Sequence, residues 1–348
     1  MNKTCILDEA TLQRTPPANI SQEDYRLFSK EFNKTFPSVY LEEVQDAIMT
    51  PEGVFVRRGK VNKRLTQYSK AKHPSHFLSK DYLKFIKKNY WDRSSITISK
   101  QALWIIDKVS HNYFHWLFDV LPRLWVFQKN IVDHQNYTLL LPENYQNLSF
   151  VQEALTAFGI SDITYLSDKA TYRVDSLLII EHTAPTGNYR PDIVQEVRKR
   201  LLAKLEDQSF SKESKIYASR GKAPRRKILN EEELIKVLDR HQFSTVYFEE
   251  LSFRDQINII KDAKYLVSNH GAGLSNMLFM QPGSYVFELR QENDTHNNCY
   301  FSLASANSLN YYYQTCPPDK SKIVNAHSDI YVNISEFEKN LSIMLADE

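Results

Sequence analysis

The apolar positions of the chain fall into two spacings, and their alternation is the first structural signal. Short continuous runs, ALWIID (102–107), TLLL within NYTLLLPE (136–143), TYLSD and SLLIIE, read as buried strands. Between them HNYFHWLFDVLPRLW (111–125) and SFVQEALTAFG (149–159) carry apolar residues every three to four positions, as helices do, and Gly159 supplies a stop. After the helix DIVQEVRKRLLAKLED (192–207) the alternation becomes regular. Strands KIYASR, STVYFEE, KYLVSN and YVFELR are separated by helices NEEELIKVLDRHQ (230–242), SFRDQINIIKDA (252–263, capped by Ser252 with Asp255 at the matching position) and one from about 273. Strands alternating with helices of this length predict parallel, doubly wound sheets.

The flanks are weaker. Residues 1–36 are polar, with a helical candidate at SQEDYRLFSKEF. VYLEEVQDAIM and GVFVRRGKV read as short strands about the Pro51-Glu52-Gly53 turn. Tyr311–Tyr313 reads as strand core, and SEFEKNLSIML (335–345) as a helix packing back across the domains. The expected organisation is α/β in two Rossmann-like, doubly wound domains facing a cleft: an irregular or helical segment 1–36, a first domain 37–190 and a second 191–348. Loops 64–95 and 182–191 are the expected seats of specificity.

Composition narrows the function. With 348 residues, two domains are the prior. Lys plus Arg (44) nearly balances Asp plus Glu (42), so no global field draws nucleic acid, and any basic site must be local. Three cysteines without paired spacing make neither a zinc ribbon nor a disulfide framework. No leader-like or membrane-spanning run is evident. The expectation is a soluble cytoplasmic protein, peripheral to a membrane at most.

Two stretches carry candidate chemistry. In the first, His111, His115 and Asp119 recur every four residues, so they share a helix face, while Phe114, Leu117, Leu121 and Leu124 share another. Pro122 is expected to end or kink the helix before Arg123. The face suits a general base: a histidine with its ordinary pKa near ~6.5, or the Asp119 carboxylate, alone or tuning His115. The bland alternative is an Asp119–Arg123 ion pair beside a core histidine. A zinc site on His111, His115 and Asp119 is a weaker reading, because the zincin pattern needs Glu where Asn112 stands.

In the second, LVSNHGAGLSNMLFMQPGSYVFEL (266–289), Gly271 and Gly273 follow a strand and precede a helix in a chain with only 8 glycines. That is a phosphate-binding geometry, with His270 and Asn276 placed at its mouth. Upstream, YASRGKAPRRK (217–227) sets Arg220, Lys222, Arg225, Arg226 and Lys227 after another strand of the same sheet, where guanidinium forks suit a diphosphate. Glu288 ends the next strand, as a ribose acceptor or a plain surface carboxylate. A tight turn and a solvated basic loop are the bland readings.

NYFHWLFDVLPRL, ASRGKAPRRKILNEEEL, LSFRDQINIIKDA and SNHGAGLSNMLFMQPGSYVFEL together resemble, in order and spacing, the signatures of glycosyltransferase family 61. The resemblance spans roughly residues 37–315 and is strongest over 103–128 and 217–290. It implies a GT-B architecture and inverting transfer from a nucleotide-sugar, usually a UDP-sugar, to a glycan. Carried onto this chain, it implies Arg220 and Arg225 or Arg226 on the diphosphate, His270, Gly271, Ala272 and Gly273 with Asn276 on phosphate and nucleotide, and Glu288 on the ribose. His115, Asp119 and His111, in that order, are the candidate bases. No cofactor is required, and a divalent metal is not implied by the sequence.

The missing signal anchor and few cysteines favour a bacterial enzyme of surface polysaccharide synthesis, capsule or lipopolysaccharide. The donor is then a nucleotide-sugar, and the acceptor a glycan or lipid-linked glycan. The rivals are an inactive nucleotide- or glycan-binding subunit of the same fold, and a zinc-dependent hydrolase.

Overall fold

The computed structural model describes residues 2–57, 60–61, 87, 94–207, 214–295, 297–321, 323–325 and 327–347. Most of the 64–95 stretch, expected to carry specificity, therefore lies outside the described residues. The chain divides into two compact units, Met1–Glu9 with Pro37–Thr183, and Ala10–Phe36 with Ala184–Glu348. Residues 1–36, expected as one separate segment, are thus shared between the units.

The strands, in chain order, are β1 (Asn2–Leu7), β2 (Ala10–Gln13), β3 (Asn33–Phe36), β4 (Val39–Met49), β5 (Phe55–Arg57), β6 (Lys60–Val61), β7 (Ser94–Trp104), β8 (Thr138–Pro142), β9 (Ile163–Leu166), β10 (Ala170–Ile180), β11 (Lys215–Ala218), β12 (Ser244–Val246), β13 (Tyr265–Asn269), β14 (Tyr285–Gln291) and β15 (Asn310–Cys316).

The first unit's sheet has the order β6-β5-β4-β10-β7-β8-β9, with β1 on β4. Strands β10, β7, β8 and β9 are mutually parallel, but β4 runs antiparallel to β10, β1 and β5. The unit is therefore a mixed sheet and not the doubly wound parallel one expected. At Thr50–Val54 the chain reverses tightly, Gly53 taking φ 79° and donating to the Thr50 carbonyl at 2.9 Å, and so short a turn joins β4 to β5 antiparallel.

The second unit meets the expectation of a parallel sheet. Its five described strands are all parallel in the order β12-β11-β13-β14-β15. Every residue of β13 is buried, as its uninterrupted apolar run requires of a strand covered on both faces. The strand order reverses between β11 and β13, and the carboxyl ends at such a switch point are where open α/β sheets bind ligands.

The helix Phe253–Ile260 is capped as expected: Ser252 Oγ accepts from the Asp255 amide at 3.1 Å and donates to its carboxylate at 2.6 Å. The C-terminal helix Ile334–Ala346 does not cross the units. Its Phe337, Leu341 and Met344 join the core beneath the second sheet, with Val267, Phe287 and Tyr312. The early helix Tyr25–Phe32 is held in the same unit, with Phe28 edge-on to Phe301 and Tyr313 at 5.2 and 4.8 Å.

Candidate active site

In the first unit the opening motif is a helix built in three registers: α over Tyr113–His115, π over Trp116–Val120 and α over Leu121–Asn130. Pro122 explains the break. It has no N–H to give, and its ring crowds the preceding turn. Widening that turn lets the Leu121 amide bond five residues back, to the Trp116 carbonyl, and leaves Pro122 at the start of a fresh α-segment, where proline is tolerated. The helix therefore continues past the expected stop. Trp116, Leu117, Val120, Leu121 and Leu124 are all fully buried, and each contributes roughly 1.5–3 kcal/mol of burial, which fixes the helix rotation.

That rotation presents His115 and Asp119 together, with Nδ1 of His115 2.7 Å from a carboxylate oxygen of Asp119. Asp119 is 4% exposed, whereas His115 keeps 22% of its side chain open and packs edge-on to Phe114 at 5.1 Å. The histidine is thus oriented from behind and accessible in front. Arg123 continues the stripe: its Nε donates to the Asp119 carbonyl at 2.7 Å and its Nη2 reaches Asp107 at 3.3 Å. His111 lies in the half-buried turn that precedes the helix, one step removed from this dyad.

Two members of the group escaped the sequence reading. His182 stands with Nε2 3.0 Å from Asp107 and Nδ1 3.6 Å from Asp119, bridging the two aspartates. Asp107 follows β7 and His182 follows β10, and these adjacent parallel strands end side by side, Trp104 opposite Ile179. The rule that ligands gather at carboxyl ends of parallel strands would have found both. Burial pushes the Asp107 carboxyl up, but the His182 hydrogen bond and the Arg123 charge outweigh it, holding Asp107 well below the ordinary carboxylate range. Asp119 behaves alike, its burial overcome by the hydrogen bond to His115 and the nearby His182 ring. Both aspartates remain charged at neutral pH.

Asp107, Asp119 and His182 also set one donor atom each within 4.8 Å of one another, the one grouping among the described residues that could share a metal ion. It is a different trio from the His111, His115 and Asp119 of the zinc reading, and its oxygens already serve Arg123, His115 and His182.

In the second unit Arg220 follows β11 and His270 follows β13, one on each side of the switch point. The Arg220 guanidinium lies flat against Gly271. A Cβ there would stand 2.4 Å from Nη1 and 2.8 Å from Cζ, so the glycine is a seat for an arginine. Its own backbone is extended (φ 169°) and asks for no glycine. Gly273 is less constrained, a Cβ there meeting Phe248 at an ordinary 3.4 Å. The helix that follows, Ala272–Phe279, is a 3-10 helix in place of the expected α-helix.

Burial depresses the Arg220 pKa first, and the charges of Arg226 and Arg225 depress it further. Nη2 of Arg220 donates to the Arg225 carbonyl at 3.3 Å. Arg226 takes a left-handed φ of 57°, its carbonyl held by the Asn269 side-chain amide. The Nε atoms of Arg220 and Arg226 and the Asn269 Oδ1 are buried with no hydrogen-bond partner among the described residues. Buried donors and like charges gathered at a switch point suit an anion.

Two expected contacts are not available as drawn. Glu288 is fully buried, with one oxygen on His270 Nδ1 at 2.5 Å and the other accepting from the Tyr311 hydroxyl. Burial pushes this carboxyl up, and His270, Arg290 and Tyr311 together pull it below its ordinary value. It orients His270 and has no oxygen left for a ribose. Asn276, expected at the mouth, is fully buried against Gln256 at 3.0 Å. Tyr311–Tyr313 are core, as expected, apart from the Tyr311 hydroxyl's place on Glu288.

One unit is a parallel α/β sheet with cations at its switch point, and the other carries a histidine–aspartate network. The chain belongs to the family Glycosyltransferase 61, which residues 113–287 match. It is 26% identical over 228 residues (59% of this chain, 43% of the relative) to the EGF domain-specific O-linked N-acetylglucosamine transferase of Drosophila melanogaster. It is 35% identical over 91 residues (25% and 17%) to the protein of that name from Bos taurus. Over 93 residues (25% and 16%) it is 40% identical to the protein O-linked-mannose beta-1,4-N-acetylglucosaminyltransferase 2 of Takifugu rubripes. The matches thus span less than half the length of these relatives.

Proposed function

We propose that this chain transfers a sugar from a nucleotide-sugar, a UDP-sugar, to a glycan hydroxyl with inversion at the anomeric carbon. Family membership supports the reaction class, and the relatives' names make N-acetylglucosamine the first donor to try. The observation that carries the reading is Arg220, desolvated, crowded by Arg226 and Arg225 and seated on Gly271 at the switch point. A diphosphate there offsets the cost of the crowded cations and stabilises the leaving group as its charge grows. His270, fixed by Glu288, lies at the same strand ends.

The other half of the reaction needs a base for the acceptor hydroxyl. His115 fits the role, with its outer face open and its inner nitrogen on Asp119, a carboxylate that holds the ring's orientation and stabilises it on protonation. Arg123 and His182 keep Asp119 and Asp107 in place. The test is incubation with UDP-N-acetylglucosamine and a panel of sugar acceptors, with NMR of the product's anomeric coupling. The reading expects UDP release coupled to a product of inverted configuration. A retained configuration, or UDP bound without any turnover across a full donor panel, contradicts it, the latter favouring an inactive binding subunit.

A further inference from the structure

The first unit holds a cavity of about 620 Å³, within the size range of small-molecule sites. Trp104 and Tyr145, both nearly fully buried, give it an aromatic floor. The indole is fixed from one side by Gly53, where an added Cβ would come within 2.7 Å of its ring, and edge-on by Phe55 at 6.1 Å. The 3-10 turn Glu143–Asn147 that carries Tyr145 also brings the exposed amides of Asn144, Gln146 and Asn147 to the lining. A fixed aromatic floor under a rim of amides offers an apolar face for a pyranose ring and hydrogen bonds for its hydroxyls.

Among the described lining residues of this cavity the charges have one sign. Glu52, Asp107, Glu143 and Asp168 line it, and among the described lining residues there is no lysine or arginine. Asp107 is held by Arg123 and His182, while Glu143 and Asp168 stand on the open rim. A wall of carboxylates disfavours another carboxylate by like-charge repulsion and leaves neutral or amine-bearing sugars admissible. Asp107 is at once a lining residue and a member of the histidine–aspartate network, so a sugar in the cavity lies against the groups assigned to proton handling.

We infer that this cavity binds the acceptor glycan and selects sugars without carboxylates, rejecting uronate-type chains. The assignment rests on the transferase reading above, because it takes the cavity's occupant to be the acceptor.

The experiment is donor-free titration of the whole protein with three soluble trisaccharides: chitotriose (neutral), its fully de-N-acetylated form (amine-bearing) and tri-galacturonate (anionic). It is run at low and high salt. The expected order is amine-bearing, then neutral, then anionic, with galacturonate at least about fivefold weaker than chitotriose at low salt and the gap narrowing as salt screens it. The triple variant Glu52→Gln, Glu143→Gln, Asp168→Asn, substituted outside the core, should close the gap by restoring galacturonate binding. The single change Asn147→Ala should weaken all three alike.

Galacturonate binding as tight as chitotriose, a gap that the triple variant leaves unchanged, or no saturable binding of any trisaccharide overturns the inference. UDP titration and donor turnover on the same preparations report separately on the transferase reading. Failure of sugar selection with UDP turnover intact therefore removes the cavity assignment alone.

Discussion

The two units hold their charges in opposite ways. In the first, the buried carboxylates at the carboxyl ends of β7 and β10 each face an opposite or hydrogen-bonding partner: Asp107 has Arg123 and His182, and Asp119 has His115 and His182. In the second, burial and the charge of Arg226, then of Arg225, press on Arg220, with Glu249 opposing them only in part, while Glu288 at the end of β14 is spent on His270 and Tyr311. The first arrangement presets an orientation before any ligand arrives. The second stores an electrostatic cost that a bound anion relieves. A region that handles protons gains from the former, and a region that receives a diphosphate from the latter.

Substitution should break that contrast in a graded way. The largest effect is expected for His115→Ala, lowering kcat by about 10²–10⁴ with nucleotide affinity unchanged, as loss of a general base does. Steady-state kinetics beside UDP titration measures both quantities. Asp119→Ala should cost about 1–3 kcal/mol of stability, because the ring nitrogens of His115 and His182 lose the carboxylate they face, whereas Arg220→Gln should leave the ligand-free protein as stable or slightly more so. Urea unfolding of the two variants side by side gives the comparison. If both lose stability equally, the second unit's arginines are structural partners and the contrast fails.

Acid should weaken both regions, because Glu288 in the second is also held below its ordinary value, and substitution isolates the first region's share. Asp107 and Asp119 have folded-state pKa values below their unfolded ones, so their contribution is present above about pH 4 and is lost as pH falls through the depressed values. Urea midpoints measured from pH 6 down should decline below about pH 4, and less steeply in Asp107→Asn than in wild type. The smallest effect is expected for Gly271→Ala. Its backbone is extended, so the fold should tolerate the methyl group, but the Arg220 guanidinium must move. UDP affinity should drop by up to about tenfold with the thermal midpoint unchanged.

Much of the second unit was legible in the sequence, because a parallel sheet buried on both faces writes itself as unbroken apolar runs such as KYLVSN, spaced by helices. The first unit was less so. Its β4 pairs antiparallel with β10, more than a hundred residues on, and a pairing so distant in sequence leaves no local mark. Pro122 was read by its usual consequence, a broken helix, when the chain instead widens one turn to π and goes on. The four-residue stripe did bring His115 and Asp119 together, and Arg123, expected beyond the break, joins them. Asp107 and His182 went unnoticed because their partners lie 16 to 75 residues away, a proximity that local sequence pattern does not show. Glu288 and Asn276 look like mouth residues in sequence, yet burial turns both inward.

The central claim, that nucleotide binding and proton handling are divided between the two units, is tested most directly by calorimetric titration of UDP into wild type, Arg220→Ala and His115→Ala. The account predicts equal affinities for wild type and His115→Ala, and a loss of roughly tenfold to a hundredfold in Arg220→Ala, the range for a charge-assisted hydrogen bond. UDP binding that survives Arg220→Ala intact, or that vanishes in His115→Ala, would contradict it.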